Sequence, residues 1–136
     1  MKSKILYTCL ILLTLATTSC KKESASPAIV GKWKNTAIFS DPAAGGFGWE
    51  TVTRFNEIVT FNPNAEFSFY TDVPGGAGTY SFDNSSGELL LQFEADNYGN
   101  ISRNELRRVE TVNSDKLVIS ATSNGAVFKT EYVRIN

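Results

Sequence analysis

The residue types in this chain exclude most forms of side-chain catalysis. The 136 residues include no histidine, so a Ser-His-Asp or Cys-His arrangement cannot form, and histidine-ligated zinc or iron is excluded as well. The two cysteines, Cys9 and Cys20, both lie near the N-terminus. Carboxylates remain, but no two of them form an identifiable pair of general acid and base. We therefore expect no enzyme activity, no metal and no cofactor.

Two short polar stretches have spacings that could hold a ligand. Residues 96–100 (DNYGN) have the composition of a calcium loop. Ile101 stands where the calcium-loop pattern requires glycine, so we predict a polar surface loop instead. Arg107 and Arg108 are adjacent in a predicted strand, and their side chains therefore point to opposite faces. An arginine that faces inward would provide an anchor for the anionic head group of a ligand.

The first twenty residues have the pattern of a cleaved leader. Lys2 and Lys4 precede an apolar run over 5–16, which is shorter than the roughly 20 residues that a membrane-spanning helix needs. The small residues before Cys20 resemble the cleavage site of lipoprotein signal peptides, although Thr17 stands where leucine is usual. We therefore predict a lipoprotein signal peptide at 1–19. The alternative is an ordinary secretory signal followed by an incidental cysteine.

Cysteine usage favours acylation at Cys20. Cys9 lies inside the apolar run and leaves with the leader, so the mature chain keeps a single terminal cysteine that cannot form an internal disulfide. Attachment of lipid, such as palmitate, explains this cysteine better than a free thiol in an oxidising compartment does. Two or three acyl chains hold a protein at a membrane essentially permanently. A membrane is therefore the first partner that we expect.

A tether and one domain follow the leader. Residues 20–28 carry the lipidated cysteine and a short polar sequence, which predicts a flexible tether. Residues 29–136 have room for a single core. The chain has 13 basic and 14 acidic side chains and a net charge of −1, so it has no basic surface for nucleic acid. A small apolar ligand is possible, and a protein partner is left open.

The domain is predicted to be all-β, because short runs rich in Val, Ile, Thr, Phe and Tyr alternate with turn residues. Eight strands are predicted, at 30–39, 49–61, 66–71, 78–83, 88–94, 104–112, 116–121 and 126–134. In an up-and-down meander, tight turns close one end of the sheet. Longer, mostly glycine-rich loops surround the other end, at 40–48, 72–77, 95–103 and 122–125. Eight antiparallel strands suffice to close a barrel, and a two-sheet β-sandwich fits the same alternation.

The apolar face of the central strands is strongly aromatic, and Phe47 and Trp49 add two aromatic residues on an open-end loop. The predicted ligand-binding residues are Phe47, Trp49, Phe67, Phe69, Tyr80, Phe82, Leu91 and Phe93. The alternative is that the inward-facing rings simply fill a short barrel, since apolar stripes usually form core. Phe47 lies in a glycine-rich loop and buries nothing locally, so it suggests a lid, a partner contact or a membrane contact.

Both ends of the domain resemble the lipocalins and the wider calycin barrels. Gly31-Lys32-Trp33 resembles their Gly-x-Trp motif, whose tryptophan closes the narrow end of the barrel beneath a basic residue of the last strand. The meander independently brings Arg134 to the same end as Trp33, where a cation-π contact can form. With the leader, residues 29–136 resemble the small lipocalin-like domains of lipoproteins of Gram-negative bacteria. The domain lacks the C-terminal helix and the disulfides of most lipocalins, which argues against a roomy cavity.

This resemblance implies a lipid-anchored binding module for a small apolar or amphipathic ligand at the open end of the barrel. The alternative is a non-enzymatic interaction or inhibitor protein, with a filled barrel that binds a protein partner through its open-end loops. Lys21 after the cysteine resembles outer-membrane sorting. We therefore expect the protein in the cell envelope, anchored to the outer membrane of a Gram-negative bacterium, with the membrane face left open.

Overall fold

The structure, a computed structural model, describes residues 28–53, 56–72 and 74–136. Its regular elements there are nine strands and one short 3-10 turn, Pro42–Ala44. The strands are β1 (Gly31–Ser40), β2 (Gly48–Thr51), β3 (Ile58–Phe61), β4 (Glu66–Tyr70), β5 (Pro74–Asp83), β6 (Glu88–Phe93), β7 (Arg103–Val112), β8 (Lys116–Ser123) and β9 (Ala126–Ile135). The predicted signal peptide at 1–19 and Cys20 lie outside the described residues, as does the tether up to residue 27.

The strands form a closed antiparallel barrel. Strands β3 to β9 pair in chain order, and β1 closes the ring by pairing with β3 and β9. Strand β2 is an additional strand that pairs with residues 37–40 of β1 at the open end. The predicted all-β, up-and-down barrel of eight strands is confirmed. A β-sandwich is excluded, because the hydrogen bonds between β1 and β9 leave no break between two sheets.

The strand predicted at 49–61 is in fact two strands. The chain leaves the ladder after Thr51 and returns to it at Ile58. A bulge in β1 accompanies this break, because its register against β9 shifts between Asn35 and Ala37. Such a bulge adds one residue and bends the strand. The first half of β1 therefore pairs with β3, whereas the second half pairs with β2.

The strand predicted at 78–83 begins earlier, at Pro74. Glycines at 75 and 76 suggested a loop at 72–77, since glycine is typical of turns. Gly78, the first residue of the predicted strand, lies inside β5. A Cβ atom at this position would lie 1.9 Å from the carbonyl oxygen of Gln92 on β6. Glycine is required because the two strands approach too closely for any side chain. The remaining strand ends lie within two residues of their predicted positions.

Apolar side chains fill the barrel from its closed end upwards. The buried cluster consists of Ile29, Trp33, Val59, Phe61, Phe67, Tyr80, Leu89, Leu91, Phe93, Val109, Leu117, Ile119 and Tyr132. Its rings meet edge to face, with centroids 5.0 Å apart both for Phe61 and Tyr80 and for Phe67 and Phe93. Aromatic pairs prefer such tilted arrangements to face-to-face sandwiches. The rings therefore pack against one another rather than around an empty space.

Trp33 and Arg134 seal the closed end. The indole is fully buried, and its Nε1 donates to the carbonyl oxygen of Ile29 at 2.8 Å. The Cζ atom of Arg134 lies 4.0 Å from the centre of the Trp33 ring. Arg134 also donates to the carbonyl oxygens of Val30 at 2.8 Å and Ser114 at 2.6 Å. The stack and these bonds join the start of β1, the turn after β7 and the last strand.

Candidate functional site

Charged side chains on β7 face the barrel interior at its open end. Arg103, Glu105, Arg107 and Val109 share one face of the strand, because side chains alternate along it. Val109 is buried in the core, and this identifies the shared face as the inner one. Arg108 is exposed on the outer face. Of the two adjacent arginines, Arg107 is therefore the one that faces inward.

Glu105 bridges the two inward arginines. Its Oε1 accepts a hydrogen bond from Nε of Arg103 at 2.8 Å, and its Oε2 accepts from Arg107 through Nη2 at 2.5 Å and Nε at 3.1 Å. Burial raises the pKa of Glu105, but the hydrogen bonds and charges of Arg107 and Arg103 outweigh burial. The net pKa lies below its ordinary value. Glu105 is therefore a carboxylate at neutral pH and holds both guanidinium groups in place.

Glu57 and Tyr132 face this cluster from other walls of the barrel. The buried hydroxyl of Tyr132 donates to Oε1 of Glu57 at 2.5 Å. Burial, followed by the charge and hydrogen bond of Glu57, raises the pKa of Tyr132 well above its ordinary value, so its hydroxyl keeps its proton. Asn35 fixes the segment before β3, because its Oδ1 accepts from the backbone N–H of Glu57 at 2.9 Å. Glu57 is thus held in place by Asn35 on β1 and by Tyr132 on β9.

A cavity of about 140 Å³ lies among these groups at the mouth. It is lined by Glu57, Phe69, Thr71, Gly75, Phe93, Arg103 and Arg107. The guanidinium of Arg103 lies over the Phe93 ring at 3.9 Å, and the rings of Phe93 and Phe69 stack with an interplanar angle of 10°. Pockets for drug-sized ligands measure roughly 300 to 1,000 Å³. This cavity is large enough only for a small molecule or for one end of a larger one.

The six predicted binding residues of the central strands are divided between core and cavity. Phe69 and Phe93 line the mouth cavity. The other four face the interior but lie in or against the packed core; they are Phe67, Tyr80, Phe82 and Leu91. Tyr80 also has a structural hydrogen bond, from its hydroxyl to the carbonyl oxygen of Asn62 at 2.9 Å. Most of the predicted aromatic wall therefore fills the barrel.

Trp49 lies on the outer face of the barrel and does not cover its mouth. Its ring contacts Phe39 at 5.5 Å, and Phe39 pairs with Lys129 in the ladder. Lys129 binds Glu110 outside the barrel at 2.7 Å. The bulge in β1 causes this outward orientation, because one extra residue moves the side chains that follow it to the opposite face of the sheet. Phe47, in the loop before β2, is 54% exposed.

Glu57, Arg103, Glu105 and Tyr132 were not among the site residues predicted from the sequence. A signal was present in β7, where charged residues occupy alternate positions ahead of Val109. Both faces of this strand carry charge, however, so alternation could not show which face turns inward. For Glu57 and Tyr132 the sequence offered no signal. These two residues are 75 positions apart in the chain, and only the closed barrel brings them together.

Replacing Glu105 with glutamine should lower stability at neutral pH and flatten its acid dependence. Because the folded-state pKa of Glu105 is depressed, its ionised form stabilises the fold above the unfolded-state pKa, near 4.5. That contribution is lost as the pH falls through the folded-state value. We expect a loss of about 1 to 2 kcal/mol at pH 7 and a much smaller loss at pH 3, measured by urea denaturation. The exposed Glu50→Gln is the control, and equal pH profiles for the two variants would contradict the role of Glu105.

Comparison with known proteins assigns no family to this chain. No protein-family model matches it, and no curated protein matches it either. In the part of the chain that the structure describes, no helix is long and apolar enough to cross a membrane. The same residues contain no group of three or more His, Cys, Asp or Glu side chains that could hold a metal ion. A functional proposal therefore depends on the geometry of the mouth.

Proposed function

We propose that this protein is a lipid-anchored, lipocalin-like binding module that takes the acidic head group of a small amphipathic molecule at the mouth of its barrel. One observation carries the proposal: two guanidinium groups, Arg103 and Arg107, line a single cavity together with the rings of Phe69 and Phe93. The planar guanidinium of arginine matches a carboxylate through parallel N–H bonds. Glu105 bridges the arginines without lining the cavity, whereas Glu57 lines it and accepts a hydrogen bond from the hydroxyl of Tyr132.

The filled interior limits the kind of ligand. A long apolar chain has no space below Phe93, because the core rings occupy it. Apolar side chains are available at the rim, where Ile38 and Phe128 are 38% and 44% exposed. Register places Ile38 opposite Thr130, on the face of β9 that also carries Tyr132 and Phe128. The head group therefore enters the cavity, while the apolar part of the ligand stays at this rim.

The anchor and the family resemblance belong to the same proposal. The leader pattern supports a lipid on Cys20, and the stack of Arg134 on Trp33 supports the likeness to lipocalins. Strand β1 starts at the closed end, so the tether enters the domain there. An acylated Cys20 would hold the closed end towards the membrane of the cell envelope and direct the mouth away from it.

A second candidate function is protein binding through the open-end loops. The filled interior favours protein binding, because it leaves no space for a ligand in the core. Phe47 and Trp49 also favour it, since they are 54% and 49% exposed near the mouth. Exposed aromatic side chains are enriched at protein interfaces. In this case the barrel would be a solid scaffold, and the cavity at the mouth would bind no small acid.

Octanoate and octanol, matched in chain length, test the acidic head group. Protein that begins at Lys21 retains the whole barrel, whose first strand starts at Gly31. We expect octanoate to bind, with octanol at least tenfold weaker. Arg107→Met should weaken octanoate binding about 10- to 100-fold, which is the loss in affinity expected when one charge-assisted hydrogen bond is removed. The measurement is isothermal titration calorimetry.

Arg108→Met is the matched control, because this neighbouring arginine is exposed on the outer face of the same strand. It should change octanoate affinity less than twofold. Thermal melting of both variants checks that the barrel is intact. Absence of octanoate binding to the unmodified protein would overturn the proposal in favour of the protein-binding alternative, and an equal loss in both variants would remove Arg107 from the site.

A further inference from the structure

A separate depression lies on the outside of the barrel, over strands β4 and β5 and the loop after β6. Its volume is about 370 Å³, and its lining includes Ser68, Tyr70, Ala77, Glu94 and Tyr98. Ala77 pairs with Ser68 on one side, and its carbonyl oxygen accepts from the N–H of Glu94 on the other at 3.0 Å. Ala77 therefore forms a low floor between larger side chains. We call this depression the outer groove.

Two tyrosine rings stand on opposite sides of the outer groove. Tyr70 is on β4 and Tyr98 is in the loop after β6, and β5 lies between these two strands. The side chains are 54% and 74% exposed. Tyr70 points away from the core, because it follows the inward Phe69 in the strand. Neither ring is needed to fill the barrel, so both offer an aromatic face to a ligand.

The charge of the outer groove is negative. Glu94 and Asp96 line it, and a neighbouring depression of about 250 Å³ shares Ser68, Ala77 and Glu94 and adds Glu66. Among the described residues, no lysine or arginine lines either depression. The side-chain hydrogen bond from Asn100 is the main cause that holds the pKa of Asp96 below its ordinary value. Asp96 therefore keeps its charge into acidic solution.

We propose that the outer groove binds a small organic cation, with an alkylammonium group held between the rings of Tyr70 and Tyr98 and balanced by Glu94 and Asp96. Ammonium groups are attracted to aromatic faces, most strongly when they carry alkyl groups that also contact apolar surface. Ala77 provides such a surface at the floor. The two carboxylates disfavour an anion in the outer groove, since like charges repel. Phe69 lines both this groove and the mouth cavity. The proposed cation site uses neither Arg103 nor Arg107, so its test does not depend on the function proposed for the mouth.

Choline and its uncharged isostere 3,3-dimethylbutan-1-ol test this proposal, because they have nearly the same shape and differ in charge. The full chain in non-ionic detergent is titrated with each compound, and the backbone amides of Ala77 and Glu94 are followed by NMR. We expect choline to shift these amides in a saturable way, with binding of the isostere at least tenfold weaker. Tyr70→Leu and Tyr98→Leu should each weaken choline binding about 3- to 10-fold.

Phe47→Leu is the matched control, since it removes an exposed aromatic ring from a loop outside the groove. It should leave choline binding unchanged. Tyr98 lies in a loop outside the strand ladder, so its variant remains informative where Tyr70→Leu disturbs strand pairing. Equal binding of the isostere would overturn the proposal, as would shifts confined to amides outside the groove or a Tyr98→Leu variant that binds choline like the unmodified protein.

Discussion

Trp33→Ala should lower the free energy of unfolding by about 3 to 5 kcal/mol. The ring is fully buried at the closed end, where it donates to Ile29 and lies beneath Arg134. Alanine would leave a cavity in place of the indole and remove the surface on which the guanidinium stacks. Since small domains are stable by roughly 5 to 15 kcal/mol, this one change would bring the barrel close to unfolding. Urea denaturation followed by circular dichroism measures the effect.

Trp49→Ala is the matched control, because the chain has two tryptophans and this one is 49% exposed on the outer face. It loses the contact with Phe39 but leaves no buried cavity. We expect it to lower the free energy of unfolding by about 1 kcal/mol or less. Similar losses in the two variants would show that Trp33 does not close the barrel in solution.

Phe67→Ala should have an effect of the same size, about 3 to 5 kcal/mol. Phe67 is 2% exposed, and its ring contacts those of Phe61, Phe69 and Phe93 with centroids 5.0 to 6.4 Å apart. Alanine at this position would remove all three ring contacts and leave a cavity in the middle of the aromatic cluster. The neighbouring rings cannot collapse fully into the space, because the barrel ladder fixes the backbones of their strands.

Phe47→Ala provides the comparison for Phe67, as its ring is 54% exposed. It should change stability by less than about 0.5 kcal/mol. Both variants are measured without ligand, so a large difference between them assigns Phe67 to the packed core. If Phe67→Ala were as stable as the unmodified protein, the ring would be free to move aside, and the interior could admit a longer ligand than the mouth cavity allows.

The arrangement of the mouth explains why aromatic content was an incomplete guide to the site. Phe69 and Phe93 line the cavity, but its chemical character comes from Arg103 and Arg107. An apolar stripe on a strand is the same whether its rings pack against one another or around a ligand. Charged residues on an inner face are the more informative signal, since burial of charge is costly unless the charges are paired.

Some features of this protein could be predicted from the sequence because they depend on local properties of each segment. Alternation along β4, β5 and β6 identified the inner face, and turn residues separated the strands. The short links between strands favoured the meander, which placed Trp33 and Arg134 at the same end. Strand count allowed a barrel but also fitted a β-sandwich, and only the pairing of β1 with β9 decided between them. The approximate strand bounds and their meander order follow from these local patterns.

Other features were decided only when the strands paired. The bulge in β1 turned Phe39 and Trp49 outward, and the close approach of β6 required glycine at position 78 of β5. Pairing also selected Arg107 over Arg108 for the interior. Register depends on the partner strand, and a shift of one residue reverses the face of every side chain that follows it. No pattern within a single strand contains that information, so only the closed barrel determines the chemistry of its mouth.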